Sequence, residues 1–152
     1  MKKKTFIIIF ICLILVILGG VIFYSNIPQN SIKVGHTYFT LPQGYEEVNS
    51  DGRTANIAKN NNTIAITYYS DTDIMGHVKN YTIQKKNDTI QTTEQTINNI
   101  KVYKSTIKND TKTAHYWFIS DNKVYEFCSW RGDQNTDNIA YDLIKSSKTT
   151  FF

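Results

Sequence analysis

From Thr5 to Tyr24 the chain reads TFIIIFICLILVILGGVIFY, twenty residues without a charge, directly behind Lys2, Lys3 and Lys4. Fifteen of the twenty are Ile, Leu, Val or Phe. At a helical rise of about 1.5 Å per residue the run spans about 30 Å, the thickness of a bilayer hydrocarbon core. Each of those side chains favours insertion by roughly 0.3–0.6 kcal/mol near the helix centre. Residues 1–24 therefore read as a membrane anchor, a short cytoplasmic lysine segment followed by a transmembrane helix. Only the rest of the chain is left to build a globular domain.

The lysines set the orientation. Basic residues ahead of a first span stay on the cytoplasmic side, which predicts a single-pass cell-membrane protein whose C-terminal domain is extracytoplasmic. A cleaved secretory signal begins the same way. However, this run is longer than the usual apolar segment of roughly 7–15 residues and no A-x-A-like site follows it. Gly19-Gly20 is a small pair, but Val21 to Tyr24 continue the apolar run beyond it. Cys12 has no small residue before it and makes a poor lipid-attachment site. On either reading the domain is exported.

Charge and cysteine usage then narrow the function classes. The chain holds 17 basic and 13 acidic residues. With Lys2–Lys4 set aside, the exported part is almost neutral, without the basic patch that nucleic-acid binding requires. Outside the apolar run the only cysteine is Cys128, so the domain has no internal disulfide and must rely on buried apolar surface. Cys128 is expected to be a buried free thiol behaving as a small hydrophobe.

Residues 25–36, polar with one Pro and one Gly, read as a linker, and 37–152 as the exported domain. TYFTLPQGYEEV predicts two extended pieces about a Pro42–Gly44 turn, and TANIAKNNNTIAITYYS two strands about Asn60-Asn61-Asn62, since Asn tolerates positive φ. Ile74, Val78 and Tyr81 recur at helical spacing, with Asp71, Thr72 or Asp73 as caps. Strands follow at roughly 90–97, 99–107, 113–120 and 123–130. A last helix over 137–146 places Ile139, Ala140, Leu143 and Ile144 on one face, with Asp137 as candidate cap. The economical packing is α+β: a mainly antiparallel sheet, built as a meander, with two helices on it.

YFTLPQGY (Tyr38–Tyr45), the strand-rich middle ending in HYWF…VYEFCSW, and the closing IAYDLIKS together resemble small exported domains of methanogenic archaea with a PsbP-like α/β/α arrangement. The resemblance spans most of 37–147 and rests on pattern. It implies a layered architecture and a binding or assembly role without a shared catalytic set.

HYWFISDNKVYEFCSW (His115–Trp130) is the most distinctive stretch. A hairpin turning at Asp121-Asn122 sets Ser120 opposite Lys123, His115 opposite Cys128 and Trp117 opposite Glu126. One face is then Tyr116, Phe118, Tyr125 and Phe127, the expected core. The other is mixed (His115, Trp117, Ile119, Val124, Glu126, Cys128, Trp130) and is expected to be half-covered by a helix. With both faces largely apolar, the hairpin should lie centrally in a sheet covered on two sides. A Cys128–His115 nucleophile would need a depressed thiol pKa and a third group orienting the imidazole, and the sequence singles out none. A binding surface on Trp117, Glu126 and Trp130, extended by Arg131 in the neighbouring loop, is the functional alternative.

Other motifs yield little. Arg131-Gly132-Asp133 sits where a turn is expected anyway. Four N-x-S/T sequons occur, at Asn61, Asn80, Asn87 and Asn109; Asn61, Asn87 and Asn109 are the glycosylation candidates, being predicted in loops. His36, His77 and His115 lack metal-type spacing, and no cofactor motif is present. The sequence thus points to a non-catalytic, membrane-anchored extracytoplasmic binding or assembly module with a protein or envelope partner. A thiol-dependent enzyme using Cys128 and His115, and an envelope structural protein, are the alternatives.

Overall fold

The computed structural model describes residues 9–19, 30–85, 89–108, 110–131 and 133–149. Residues 9–19 form a helix (α1) that is exposed throughout. Among the described residues no helix is long and apolar enough to cross a membrane. The flanks of the apolar run, residues 5–8 and 20–24, lie outside them.

The described remainder is α+β. Seven strands form one antiparallel sheet: β3 (Glu46–Ser50), β4 (Thr54–Lys59), β5 (Asn62–Tyr69), β6 (Ile90–Ile97), β7 (Ile100–Ile107), β8 (Asp110–Ser120) and β9 (Lys123–Ser129). Their spatial order is β3-β4-β5-β9-β8-β7-β6. After β5, helix α2 (Ile74–Gln84) precedes β6 at the far edge, and the chain meanders back until β9 closes against β5. Turn chemistry drives the meander. Asn98-Asn99 and Asp121-Asn122 all have positive φ, between 49° and 64°, the left-handed conformation that two-residue hairpin loops need and that Asn and Asp tolerate. Asp73 caps α2, its carboxylate accepting from the Gly76 N–H at 2.9 Å.

A second sheet, β1-β2-β10, joins β1 (Ser31–Val34), β2 (Thr37–Thr40) and β10 (Lys148–Thr149). Its first strand corrects the linker expected at 25–36 over the described part, residues 30–36. Ile32 and Val34 alternate inward, 3% and 0% exposed, and Gly35, at φ +58°, turns the chain back into β2. A Cβ on Gly35 would come within 2.5 Å of the Tyr68 ring, so glycine is required there. Four residues in a polar context are too few for periodicity to reveal, which is why this strand reads as linker.

Helix α3 (Gln134–Ser146) starts a turn earlier than its apolar spacing suggests. Its cap is Asp133, whose carboxylate accepts from the Thr136 N–H and hydroxyl at 2.8 and 2.9 Å. Asp137, expected as the cap, instead binds Lys104 Nζ at 2.6 Å and accepts a hydrogen bond from the Tyr116 hydroxyl.

The core lies between the large sheet and the layer made by α3 with β1-β2-β10. Tyr116, Phe118, Tyr125 and Phe127 are fully buried there, as the hairpin's aromatic face requires. Phe39 of β2 meets Phe118, Tyr125 and Phe127 edge-on, with centroids 5.4–6.3 Å apart, the geometry aromatic quadrupoles favour. On the opposite face α2 lays Val78 and Tyr81 over Trp117, flanked by Tyr69, Ile74, Ile90 and Tyr103. The β8–β9 hairpin is thus central and covered on both sides over much of its length.

Two substitutions test this account. Phe39→Ala should lower unfolding free energy by about 3–5 kcal/mol, read as an earlier urea midpoint at unchanged slope. Asp133→Ala should cost about 0.5–2 kcal/mol. The Thr136 hydrogen bonds hold the Asp133 carboxyl below its ordinary value, so its contribution is present above about pH 4 and fades as pH falls further. An Asp133→Ala variant whose deficit were equally large at pH 2 and pH 7 would contradict the cap.

Candidate functional site

The β8–β9 register sets Ser120 opposite Lys123, and with it His115 opposite Cys128 and Trp117 opposite Glu126. Side chains two apart on a strand share a face, so Glu126 and Cys128 both stand beside the His115 ring. His115 Nδ1 makes a close contact with Glu126 Oε1. Tyr69 donates its hydroxyl to Glu126 Oε2 at 2.7 Å, and Cys128 Sγ lies 3.7 Å from His115 Nε2. Glu126 is thus the third group that sequence reading did not find, although its place two residues from Cys128 was the signal. A carboxylate only accepts hydrogen bonds, so Nδ1 is the donor to Glu126, while Nε2 faces the thiol. Aromatic rings enclose the set: Tyr81 lies 4.1 Å from the His115 ring, and Trp117 is nearly parallel to it at 5.9 Å.

This arrangement has the members of a Cys–His–carboxylate triad but not an activated nucleophile. Burial, followed by the negative charge of Glu126, pushes the Cys128 thiol up to about 12. Thiol catalysis needs the opposite shift. Cys128 also sits mid-strand, paired with Ala65 on one side and His115 on the other. The nearby amides serve the sheet ladder, and an oxyanion would need free donors.

The four residues expected to form a binding surface are not brought together. Trp117 is 4% exposed and packed beneath α2, and Glu126 is buried with His115 and Tyr69. Helix α2 covers the mixed face more fully there than sequence periodicity implied. Trp130, 56% exposed, lies just beyond β9. Arg131 instead borders a cleft on the α3 side of the sheet.

That cleft holds about 480 Å³. The Pro42–Gly44 turn supplies Pro42 and Gln43, the β4–β5 turn supplies Lys59 to Asn62, and the first turns of α3 supply Asn135 and Ile139. Tyr45 and Asn62 form its inner wall, with Asn62 Nδ2 donating to the Tyr45 hydroxyl at 2.7 Å. Asn62 is 8% exposed, and its Oδ1 has no hydrogen-bond partner among the described residues. Lys59 Nζ donates to the Gln43 carbonyl at 2.9 Å. In the sequence the Asn triplet reads as turn chemistry, and its second role depends on residues far away in the chain. Asn61 is exposed on the cleft rim. Asn87, Asn109 and Gly132 of the Arg-Gly-Asp tripeptide lie outside the described residues. Among the described residues no group of three or more His, Cys, Asp or Glu could hold a metal ion.

In the folded domain, alkylation of Cys128 by iodoacetamide should stay slow up to pH 9. Rapid labelling near pH 6 would show an activated thiolate and overturn the inactive reading. Glu126→Ala, which strips His115 and Tyr69 of their shared partner, should destabilise the domain by about 1–3 kcal/mol, measured by urea unfolding.

In structure the chain is similar to cyanobacterial PsbP (CyanoP) from Synechocystis sp. PCC 6803, known from a solution structure. The identity is 9%, the TM-score 0.49, and the match covers 79% of this chain and 91% of that one. No family model matches the chain, and no curated protein matches it. At that identity and TM-score, no site residue or role passes from that protein to this one.

Proposed function

We propose that this chain is a non-catalytic binding or assembly module, anchored in the cell membrane through residues 1–24, with its α+β domain on the extracytoplasmic side. It engages its partner through the cleft walled by Tyr45, Asn62 and Arg131. Anchoring is supported by the uncharged Thr5–Tyr24 run behind three lysines. The observation that carries the binding role is the buried, unpartnered Asn62 Oδ1 on the wall of a cleft bordered by Lys59 and Arg131. Buried polar atoms are nearly always satisfied, and one left open beside a cleft is matched by what enters it.

The thiol-enzyme reading has one observation in its favour, the placing of His115 between Cys128 and Glu126. It lacks a lowered thiol pKa. The same contacts serve a purely structural purpose, satisfying three polar groups beneath α2.

Alkaline carbonate should leave the full chain in the membrane fraction, and protease added outside intact cells should remove the domain. Release by carbonate would sink the anchor. A photo-crosslinker at Asn135, on the cleft, should capture a partner in cells, one at Glu94, on the far-edge strand, should not, and Arg131→Glu should abolish capture. Equal capture from both positions would place the contact elsewhere.

A further inference from the structure

The cleft's lining defines a ligand class more narrowly than binding alone. We infer that it takes a hydroxylated carboxylate, a sugar acid, either free or as the terminal unit of an acidic polysaccharide; this rests on the cleft being the binding site. Two cationic side chains, Lys59 and Arg131, border it, and Arg131 offers the planar fork that pairs with a carboxylate through two hydrogen bonds. The Asp133 carboxylate nearby caps α3 by accepting from the Thr136 N–H and hydroxyl, and its charge is also felt by Arg131.

The inner wall discriminates among anions. Asn62 gives one Nδ2 hydrogen to the Tyr45 hydroxyl. Tyr45 thereby accepts and keeps its own proton to donate, while Asn62 Oδ1 is left to accept. The pair holds one donor and one acceptor side by side within the buried inner wall. Neighbouring hydroxyls of a sugar, each able to donate and to accept, match both. Sulfate and a simple carboxylate only accept and would leave Oδ1 unmatched, whereas inorganic phosphate keeps a proton near neutral pH and lacks the neighbouring hydroxyls of a sugar. Asn135 adds a further carboxamide at the rim, and Ile139 and Pro42 give an apolar floor suited to the C–H face of a sugar ring. A space of about 480 Å³ lies within the range of small-ligand sites.

Saturation-transfer difference NMR on the full chain, in a detergent without a sugar headgroup, tests this with glucuronate, glucose, acetate and inorganic phosphate as probes. Glucuronate should bind at least about tenfold more tightly than glucose or acetate, the difference one charge-assisted pair or one matched hydroxyl pair supplies. Arg131→Gln, an exposed change that leaves the fold intact, should weaken glucuronate by about tenfold and leave glucose unaffected. Asn62→Leu should weaken both sugars; if that buried change unfolds the domain, the Arg131 variant still decides. Equal binding of glucose and glucuronate, or tighter binding of phosphate, would overturn the inference. A glucuronate trimer that binds more tightly than the monomer identifies a polymer end, and equal affinity identifies the free acid. Both results support the shared chemistry. Crosslinking from Asn135 without any glucuronate binding would refute the ligand class and leave the binding module standing; failure of both would remove the cleft as a site.

Discussion

The pairing of β8 with β9 through the Asp121-Asn122 turn decides what lies on each side of the large sheet. Because side chains alternate, a one-residue slip in either strand would exchange its two faces. A slip of β8 would turn Tyr116 and Phe118 toward α2 and drive His115 and Trp117 into the layer where Phe39 packs. Register is therefore held from both sides: by aromatic volume on one face, and by the Cys128–His115–Glu126 contacts on the other. The two positive-φ residues of the turn fix it locally as well.

The aromatic side is also anchored by its polar ends. The Tyr125 hydroxyl accepts from the His36 amide and donates to the Val34 carbonyl, both at 3.3 Å, fastening the small sheet to the large one. Tyr116 reaches Asp137, which also pairs with Lys104, and that fastens α3. Phenylalanine would fill the same volume without these ties. Desolvation raises the pKa of both tyrosines, and for Tyr116 the Asp137 carboxylate adds to it, which favours their neutral, donating form. Part-buried ion pairs add little net stability, so the role of Lys104 and Asp137 is better described as fixing where α3 sits.

What the sequence revealed follows the range of the forces involved. Local signals were legible: the β6–β9 strands, the hairpin turns, both domain helices, and the register that sets His115 opposite Cys128. Features set by distant residues were not. Ser31–Val34 becomes a strand because β2 and the core receive Ile32 and Val34, and Lys148–Thr149 because β2 has an open edge. The β5–β9 neighbourhood, which completes the sheet, joins segments more than fifty residues apart. Asp133 rather than Asp137 caps α3 because Lys104 and Tyr116 hold Asp137, a tertiary contact no helical spacing discloses. Trp117 follows the same logic. Its strand parity was readable, but how far α2 buries it was not, and this divided the expected surface into a covered part and the exposed Trp130.

The two polar constellations differ in what they leave over, and that difference bears on function more than their residue types do. Under α2, Glu126 uses one oxygen for His115 and the other for Tyr69, and the imidazole's two nitrogens face Glu126 and Cys128. These groups satisfy one another, and burial keeps the thiol protonated. The donor left over on this side is Trp117 Nε1, buried without a hydrogen-bond partner among the described residues. In the cleft, Asn62 spends its donor on Tyr45 and has no partner for its acceptor. The fold thus seals His115, Cys128 and Glu126 beneath α2 and leaves Asn62 Oδ1 without a partner beside Lys59 and Arg131.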